Sequence, residues 1–221
     1  MKDLRNTPLR DPPPIEQEVV RTGIAPLDDV LGGGIPKGDG LCLYFVPPVD
    51  DWTFIVIMMK AAQEDGKSVF WLGPWEPDTP KWKAHGVDLA KVMIATCSNP
   101  SDLMEKSKAV HACGADLLFV EGISTIANIE TIGDPFRVWQ AQQNAIYNLT
   151  HRRRLSNTAV VFSRAVSEKY RNFPVRYASE DDYALFIRDH RPSRFHAELI
   201  ATQSHFISSE FSCKLPLHIG Y

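Results

Sequence analysis

The feature that most constrains the fold is an apolar run that leads, through a short proline-containing turn, into a segment long enough for a helix. Residues 41–46 are bounded by Gly and Pro, which predicts a short buried strand. Residues 54–64 predict a helix that begins soon after this strand ends. A buried strand that feeds directly into a helix favours an α/β fold.

The alternation of strand and helix continues along the chain. Apolar runs predict four more strands, at residues 68–72, 92–95, 116–121 and 157–162. Near the C-terminus, short alternating stretches predict antiparallel strands that extend the sheet, at residues 183–188, 195–201 and 205–211. The pattern therefore predicts a doubly wound, mainly parallel sheet with helices on both faces and an antiparallel C-terminal extension.

Two long segments have helical spacing. Residues 101–113 predict a helix with Ser101 as its N-cap, because Ser is a preferred residue at that position. Residues 135–155 predict the longest helix of the chain. Its expected core residues are Phe136, Trp139, Ile146 and Leu149.

Length and composition indicate one ordinary globular domain. Of 221 residues, 44% are hydrophobic and 23% charged, and we expect a single domain at 21–221 after an extended Pro-rich arm at 1–20. The net charge of -3 disfavours a globally basic nucleic-acid binder. No apolar run is long enough for a membrane span, and no signal peptide is visible. The four cysteines lack paired metal spacing, so we expect a cytoplasmic protein without a metal site.

The turn between the first strand and its helix lies where a phosphate-binding loop would sit. Such a loop needs glycines, a Lys for the phosphates and a Ser or Thr for Mg²⁺. Residues 46–53 contain neither Gly nor Lys, but include two prolines, Asp50 and Asp51. Two carboxylates in a turn without a Lys repel a polyanion, and each unit charge pair at ~4 Å is worth roughly 4 kcal/mol at an effective dielectric near 20. We therefore expect neither ATP nor Mg²⁺ to bind.

Five stretches occur in an order and spacing typical of one family. They are Thr22-Gly23-Ile24 through to Gly38, residues 61–67, Gly86-Val87-Asp88-Leu89, Gly114-Ala115-Asp116 with its strand, and Ser156-Asn157-Thr158 with its strand. Together they resemble the RecA/RadA/KaiC superfamily of recombinase-type ATPases, most closely the core of bacterial RecA. The resemblance covers roughly residues 20–200 and implies the RecA-like fold.

The resemblance also places the family's nucleotide site on this sequence. The phosphate-loop Lys and Thr correspond to Asp51 and Trp52, and the Walker B Asp corresponds to Glu121, which keeps the charge. The water-activating acid falls near Pro74, close to Glu76. The resemblance thus implies an inactive paralogue with no catalytic residue and no cofactor. Its degenerate nucleotide-site positions are Asp50, Asp51, Trp52, Thr53, Glu76 and Glu121.

Two stretches have a composition that suits DNA. Arg152, Arg153 and Arg154 lie at the end of the long helical segment, where a solvated helix end is the alternative. Residues 167–177 interleave basic and aromatic side chains, which suits single-stranded DNA, and they fall at the family's DNA-contacting loop. An ordinary surface loop is the alternative for this stretch. Its candidate DNA-binding residues are Lys169, Tyr170, Arg171 and Arg176.

These features favour an accessory protein of DNA recombination, repair or damage tolerance. Expected partners are an active RecA-family recombinase or a polymerase, single-stranded DNA, and a second copy bound through the N-terminal arm; no membrane is expected. Two alternatives remain open: a KaiC-like regulatory domain that binds protein only, and a divergent ATPase that uses Glu121 and Glu76. Trp71 is expected in the core, whereas Trp75 and Trp82 suit either the core or a partner surface.

Overall fold

The computed structural model of the protein describes residues 18–45, 52–129, 135–165, 183–191, 194–201 and 207–213. The strands in these ranges are β1 (Val19–Val20), β2 (Ile35–Pro36), β3 (Gly40–Phe45), β4 (Val69–Gly73), β5 (Val92–Thr96), β6 (Leu117–Val120), β7 (Ala159–Ala165), β8 (Tyr183–Arg191), β9 (Arg194–Ala201) and β10 (Ile207–Cys213). The helices are α1 (Ala25–Val30), α2 (Trp52–Glu64), α3 (Thr79–Ala84), α4 (Pro100–Ala112), α5 (Ile123–Ile129) and α6 (Pro135–Ser156).

The central sheet has the strand order β10-β9-β8-β3-β7-β6-β4-β5. The neighbours from β8 to β5 pair in parallel, and β9 and β10 pair antiparallel at one side. A separate two-stranded antiparallel sheet joins β1 to β2. The predicted α/β fold, with a mainly parallel sheet and an antiparallel C-terminal extension, is confirmed.

One detail of that prediction is wrong. The strand at residues 183–188 was expected to be antiparallel, whereas β8 pairs in parallel with β3. The sequence leaves 17 residues, 166–182, between β7 and β8. A connection of that length can return the chain to the opposite end of the sheet, which a parallel strand requires. The links 192–193 and 202–206 are short, and short links permit only antiparallel neighbours.

Side chains of the central strands alternate between two apolar layers. Leu41 and Leu43 of β3 pack in one layer with Phe54 of α2, and Cys42 and Tyr44 pack in the other layer with Leu149 of α6. Ten of the thirteen residues of α2 are buried, which explains its nearly continuous apolar sequence. The predicted helices therefore cover both faces of the sheet, as a parallel sheet requires.

The expected start of the helix at residues 101–113 is corrected. α4 begins at Pro100, and its N-cap is Asn99, whose side chain accepts a hydrogen bond from the Asp102 backbone N–H at 2.8 Å. Ser101 lies inside the first turn, because Pro is favoured at the first helical position and moves the cap back to Asn99.

Within the described ranges, no helix has both the length and the apolar character to cross a bilayer.

The core prediction for α6 is right for one residue and wrong for another. Leu149 is fully buried, whereas the Phe136 side chain is 65% exposed. At 3.6 residues per turn, positions thirteen residues apart point about 140° away from each other, so both cannot face one layer. The side chains of Trp139 and Ile146 lie outside the part of the chain that is described.

The first stretch of the family resemblance forms a hydrogen-bonded turn. The Asp28 carboxylate accepts hydrogen bonds from the Thr22 backbone N–H and hydroxyl, both at 2.7 Å, and from the Gly23 N–H at 3.2 Å. Gly23 has φ +75°, and a Cβ there would lie 2.8 Å from the Cβ of Ala61 in α2. The turn therefore fixes the start of α1 against α2.

The Gly114-Ala115-Asp116 stretch also holds the scaffold together. Asp116, just before β6, accepts hydrogen bonds from the Ser68 N–H and hydroxyl at 2.8 Å and forms an ion pair with Lys37 at 2.6 Å. Lys37 also pairs with Glu18 at 3.2 Å. These bonds tie the entrances of β3, β4 and β6 together at the amino-terminal edge of the sheet.

Candidate functional site

The carboxyl ends of β3, β4 and β6 meet at the opposite edge of the sheet, where α2 also begins. Open α/β sheets bind ligands at this edge. A cavity of about 210 Å³ lies there in the described structure. Its lining residues are Trp52, Pro77, Asp78, Lys81, Trp82 and Glu121.

Glu121 enters the cavity directly after β6. Its backbone N–H donates to the Leu72 carbonyl of β4 at 2.9 Å, and its Oε2 accepts a hydrogen bond from Trp71 Nε1 at 2.9 Å. Trp71 is 2% exposed, and a Cβ on Gly73 would come within 2.3 Å of its ring. The absence of a side chain at Gly73 thus leaves the space in which the Trp71 ring holds the carboxylate.

Trp52 is the first residue of α2, and its ring has a cation on its face. The ammonium of Lys81 lies 3.6 Å from the ring centroid, a distance typical of a cation–π interaction. His85 contacts the same ring in an edge-on arrangement at 5.2 Å. Lys81 is carried by α3, whose N-cap Asp78 accepts a hydrogen bond from the Lys81 backbone N–H at 3.1 Å.

Trp82 lines the cavity and packs against the buried Trp71. Their rings meet edge to face, with centroids 5.8 Å apart, and Trp82 is 3% exposed. The expectation that Trp71 belongs to the core is confirmed, and Trp82 also belongs there. Trp75, in the loop after β4, is 64% exposed and remains the candidate partner anchor.

The structure brings together two of the six predicted nucleotide-site positions. Trp52 and Glu121 line the same cavity. Thr53 is buried, and its hydroxyl finds no hydrogen-bond partner among the described residues. Glu76 is exposed in the loop after β4. Asp50 and Asp51 lie outside the described residues.

The sequence analysis missed four residues that line the cavity: Pro77, Asp78, Lys81 and Trp82. The signal for them was present, because they follow β4 and the carboxyl ends of parallel strands share one edge. Asp78 followed by Pro80 also marks a helix start, because Asp is a preferred N-cap and Pro is tolerated in the first helical turn. No group of three or more His, Cys, Asp or Glu side chains suited to a metal occurs in the part of the chain that is described.

The predicted DNA-binding residues lie where the structure describes either no side chain or no residue at all. Arg152, Arg153 and Arg154 lie in the last two turns of α6, and their side chains are not described. Lys169, Tyr170, Arg171 and Arg176 lie outside the described residues. Their contact with DNA stays a prediction.

Comparison with known proteins gives one distant similarity. No known family profile matches the sequence. The chain is 26% identical over 120 residues to the protein RecA of Synechocystis sp., which is 53% of this chain and 34% of the RecA chain. The chain therefore spans about a third of the relative that it matches. Over about half of its own length, then, this α/β chain is similar to a RecA protein.

Proposed function

We propose that the chain is a RecA-like accessory protein of DNA recombination, repair or damage tolerance that binds other proteins and does not hydrolyse ATP. The observation that carries this proposal is Trp52 at the start of α2. There a nucleotide-binding protein would offer a hydroxyl and open backbone N–H groups. Here the position offers an indole ring with the Lys81 ammonium 3.6 Å from its centroid.

Charge and size both argue against a triphosphate in this cavity. Two carboxylates, Asp78 and Glu121, line it beside the one ammonium of Lys81. Asp50 and Asp51 precede it in the sequence. Its volume of about 210 Å³ is also below the range of about 300–1,000 Å³ that pockets for drug-sized ligands have.

A role in DNA metabolism is supported by the similarity to RecA, and binding to other proteins is supported by the exposed Trp75. Trp is enriched at the centres of protein interfaces, and Trp75 is 64% exposed. The expected partners are an active RecA-family recombinase or a polymerase. A second copy, bound through the N-terminal arm, is a further expected partner.

The proposal is tested by affinity capture of the tagged full chain from extracts of its host. We expect a recombinase or DNA polymerase to co-purify, and Trp75→Ala to lower its recovery by about 10-fold or more, as loss of an interface hot spot does. Met93→Ala is the matched control, because Met93 is also exposed, at 57%, but lies in the edge strand β5. Recovery of proteins unrelated to DNA metabolism would contradict the proposal.

DNA contact is tested separately by retention on single-stranded DNA. If Arg152 and Arg171 contact phosphates, retention falls steeply between about 50 and 200 mM salt, and Arg152→Ala with Arg171→Ala weakens it further. Retention that is unchanged by both substitutions favours the alternative of a regulatory domain that binds protein only. Control substitutions at Lys60 and Lys108 remove the same charge elsewhere.

One observation favours a divergent ATPase as the second candidate. Trp52 and Glu121 line one cavity at the sheet edge where such an enzyme would bind nucleotide. Turnover of MgATP that is lost in Glu121→Gln would favour that candidate over an accessory protein.

A further inference from the structure

We propose that the loop after β4 docks a basic segment of a partner protein, through an arginine that stacks on Trp75 and pairs with Glu76 and Asp78. We call residues 74–78 the Trp75 loop; they join β4 to α3. The inference rests on the proposed function in one respect, that Trp75 anchors a partner. It adds the chemistry by which that partner is recognised.

The first argument is the exposure of Trp75. Its side chain is 64% exposed, whereas Trp71 and Trp82 are buried. A tryptophan that packs in a core or an interface buries about 150–250 Å². Trp75 leaves most of its ring in water, so a partner that covers the ring gains apolar burial that the fold itself does not use.

The second argument is that the Trp75 loop is held at both ends. At its start, the Pro74 ring lies so close to Gly122 that a Cβ on this glycine would be 3.1 Å from it. At its end, the Asp78 carboxylate accepts a hydrogen bond from the Lys81 backbone N–H at 3.1 Å. Pro74 and Pro77 also fix their own φ angles. A loop held in this way loses little conformational entropy on binding, which favours association.

The third argument is the charge of the loop. Glu76 and Asp78 are exposed carboxylates, and neither takes part in the ion pairs formed among the described residues. The bond that Asp78 accepts comes from a backbone N–H, which carries no net charge. The two carboxylates therefore attract a cation and repel the phosphates of a nucleic acid, which favours a basic protein segment over DNA.

The combination of an aromatic ring with carboxylates favours arginine over lysine. A guanidinium is planar, stacks on aromatic faces and pairs with carboxylates through a fork of donors. An ammonium offers neither the flat face nor the fork. A segment with arginine should therefore bind the Trp75 loop more tightly than the same segment with lysine.

The test follows the full 15N-labelled chain by NMR, with the peptide acetyl-Arg-Gly-Arg-amide as the probe. The indole N–H of Trp75 is the reporter, and Trp75→Phe identifies its resonance by its loss. We expect a saturable shift at millimolar peptide that weakens as salt rises from about 50 to 200 mM, because salt screens exposed charges. The same peptide with citrulline, which keeps the shape and lacks the charge, should give none.

Two substitutions remove charge from the Trp75 loop and keep the ring. Asp78→Asn keeps an oxygen that can cap α3, because Asn is as good an N-cap as Asp. Asp78→Asn and Glu76→Gln should each weaken peptide binding by about 2-fold to 5-fold, as loss of an exposed ion pair does. Glu105→Gln is the matched control, since Glu105 is an exposed carboxylate of α4 and should leave the affinity unchanged. Thermal melts establish that each variant is folded.

Three results would overturn the inference. One is an equal shift with the arginine and citrulline peptides, or no saturable shift with either. Another is full binding of the arginine peptide by the double variant of Glu76→Gln with Asp78→Asn. The third is tighter binding of oligothymidylate than of the peptide at the Trp75 indole, since that would make the loop a DNA contact.

These outcomes are distinct from those that test the proposed function. Capture of a recombinase or polymerase that falls in Trp75→Ala, but persists in the double variant of Glu76→Gln with Asp78→Asn, would remove the inference alone. Binding of the arginine peptide, with no partner from DNA metabolism captured, would remove the proposed function and leave the Trp75 loop as a site for basic segments.

Discussion

Gly23 shows how a single residue in the resembling sequence serves the scaffold. It has φ +75°, and it faces α2 so closely that a Cβ would meet the Cβ of Ala61 at 2.8 Å. Gly32 has the same φ of +75°, but no atom lies within 4 Å of the position that a Cβ would take there. Comparing the same substitution at the two glycines therefore distinguishes the cost of backbone strain from the cost of steric crowding.

We expect Gly23→Ala to lower the free energy of unfolding more than Gly32→Ala. Both substitutions force an L-residue into the left-handed region, at about 1–2 kcal/mol each. Gly23→Ala adds overpacking against α2, for about 1–3 kcal/mol more. Urea unfolding of both variants measures the difference, and equal losses would contradict the packing of α1 on α2.

Asp116 makes the stability of the folded protein depend on pH in the acidic range. Burial raises its pKa, but the bonds from Lys37 and from the Ser68 N–H and hydroxyl outweigh burial and hold the pKa below its usual value. The stability from this group is present above the unfolded pKa of about 3.9 and is lost as pH falls through the lower folded value.

Asp116→Asn should therefore lower the free energy of unfolding at pH 7 by about 1–3 kcal/mol, the value of hydrogen bonds to a charged group. The deficit should shrink as the pH falls below about 3.9, because the wild-type carboxylate is then also protonated. Asp29→Asn, at an exposed position of α1, is the control with little expected effect. A deficit that stays constant with pH would contradict the ion pair with Lys37.

At the scale of elements, substitutions at the start of α4 test which residue is its N-cap. The Asn99 side chain caps it, and Ser101 is an exposed residue of the first turn. Asn99→Ala should lower the free energy of unfolding by about 1 kcal/mol, the typical value of an N-cap. Ser101→Ala should change it by less than about 0.5 kcal/mol, as surface substitutions do. Thermal or urea unfolding measures both, and the reverse order would place the cap at Ser101.

The strands of the sheet core were predictable because their apolar runs are short and are bounded by turn residues. The direction of β8 was not predictable from its own sequence, because direction depends on the length of the connection before it. The predicted burial of Phe136 is wrong for a different reason, since its aromatic character says nothing of its angle to Leu149 around the helix. Apolar character alone does not place a residue on a face.

At the scale of the whole molecule, the two edges of the sheet differ in what they hold. Two of the stretches that resemble the RecA family, around Thr22 and Asp116, form hydrogen bonds and ion pairs that hold the scaffold. At the opposite edge, Trp52 and Glu121 line a small aromatic cavity. This division is the physical basis for proposing a RecA-like scaffold with a different use for its ligand edge.

Of the six residues that line the candidate site, two could be predicted from sequence. Trp52 and Glu121 were placed in one site by the family resemblance, and they come together because they follow strands whose carboxyl ends share an edge. Lys81 and Trp82 were missed because the helix-start signal before α3 does not reveal that α3 packs against Trp52, which is a tertiary contact. The pairing of Trp71 with Glu121 likewise depends on the space beside Gly73, which no local pattern reveals.

The most direct test of the account is a calorimetric titration of the full chain with MgATP. The Trp52 indole stands at the start of α2 with the Lys81 ammonium over its ring, and carboxylates line the cavity. We therefore predict no saturable heat up to about 1 mM nucleotide. A Kd of 1 mM corresponds to a binding free energy of about -4.1 kcal/mol. Saturable binding at micromolar MgATP that weakens in Glu121→Gln would contradict the account.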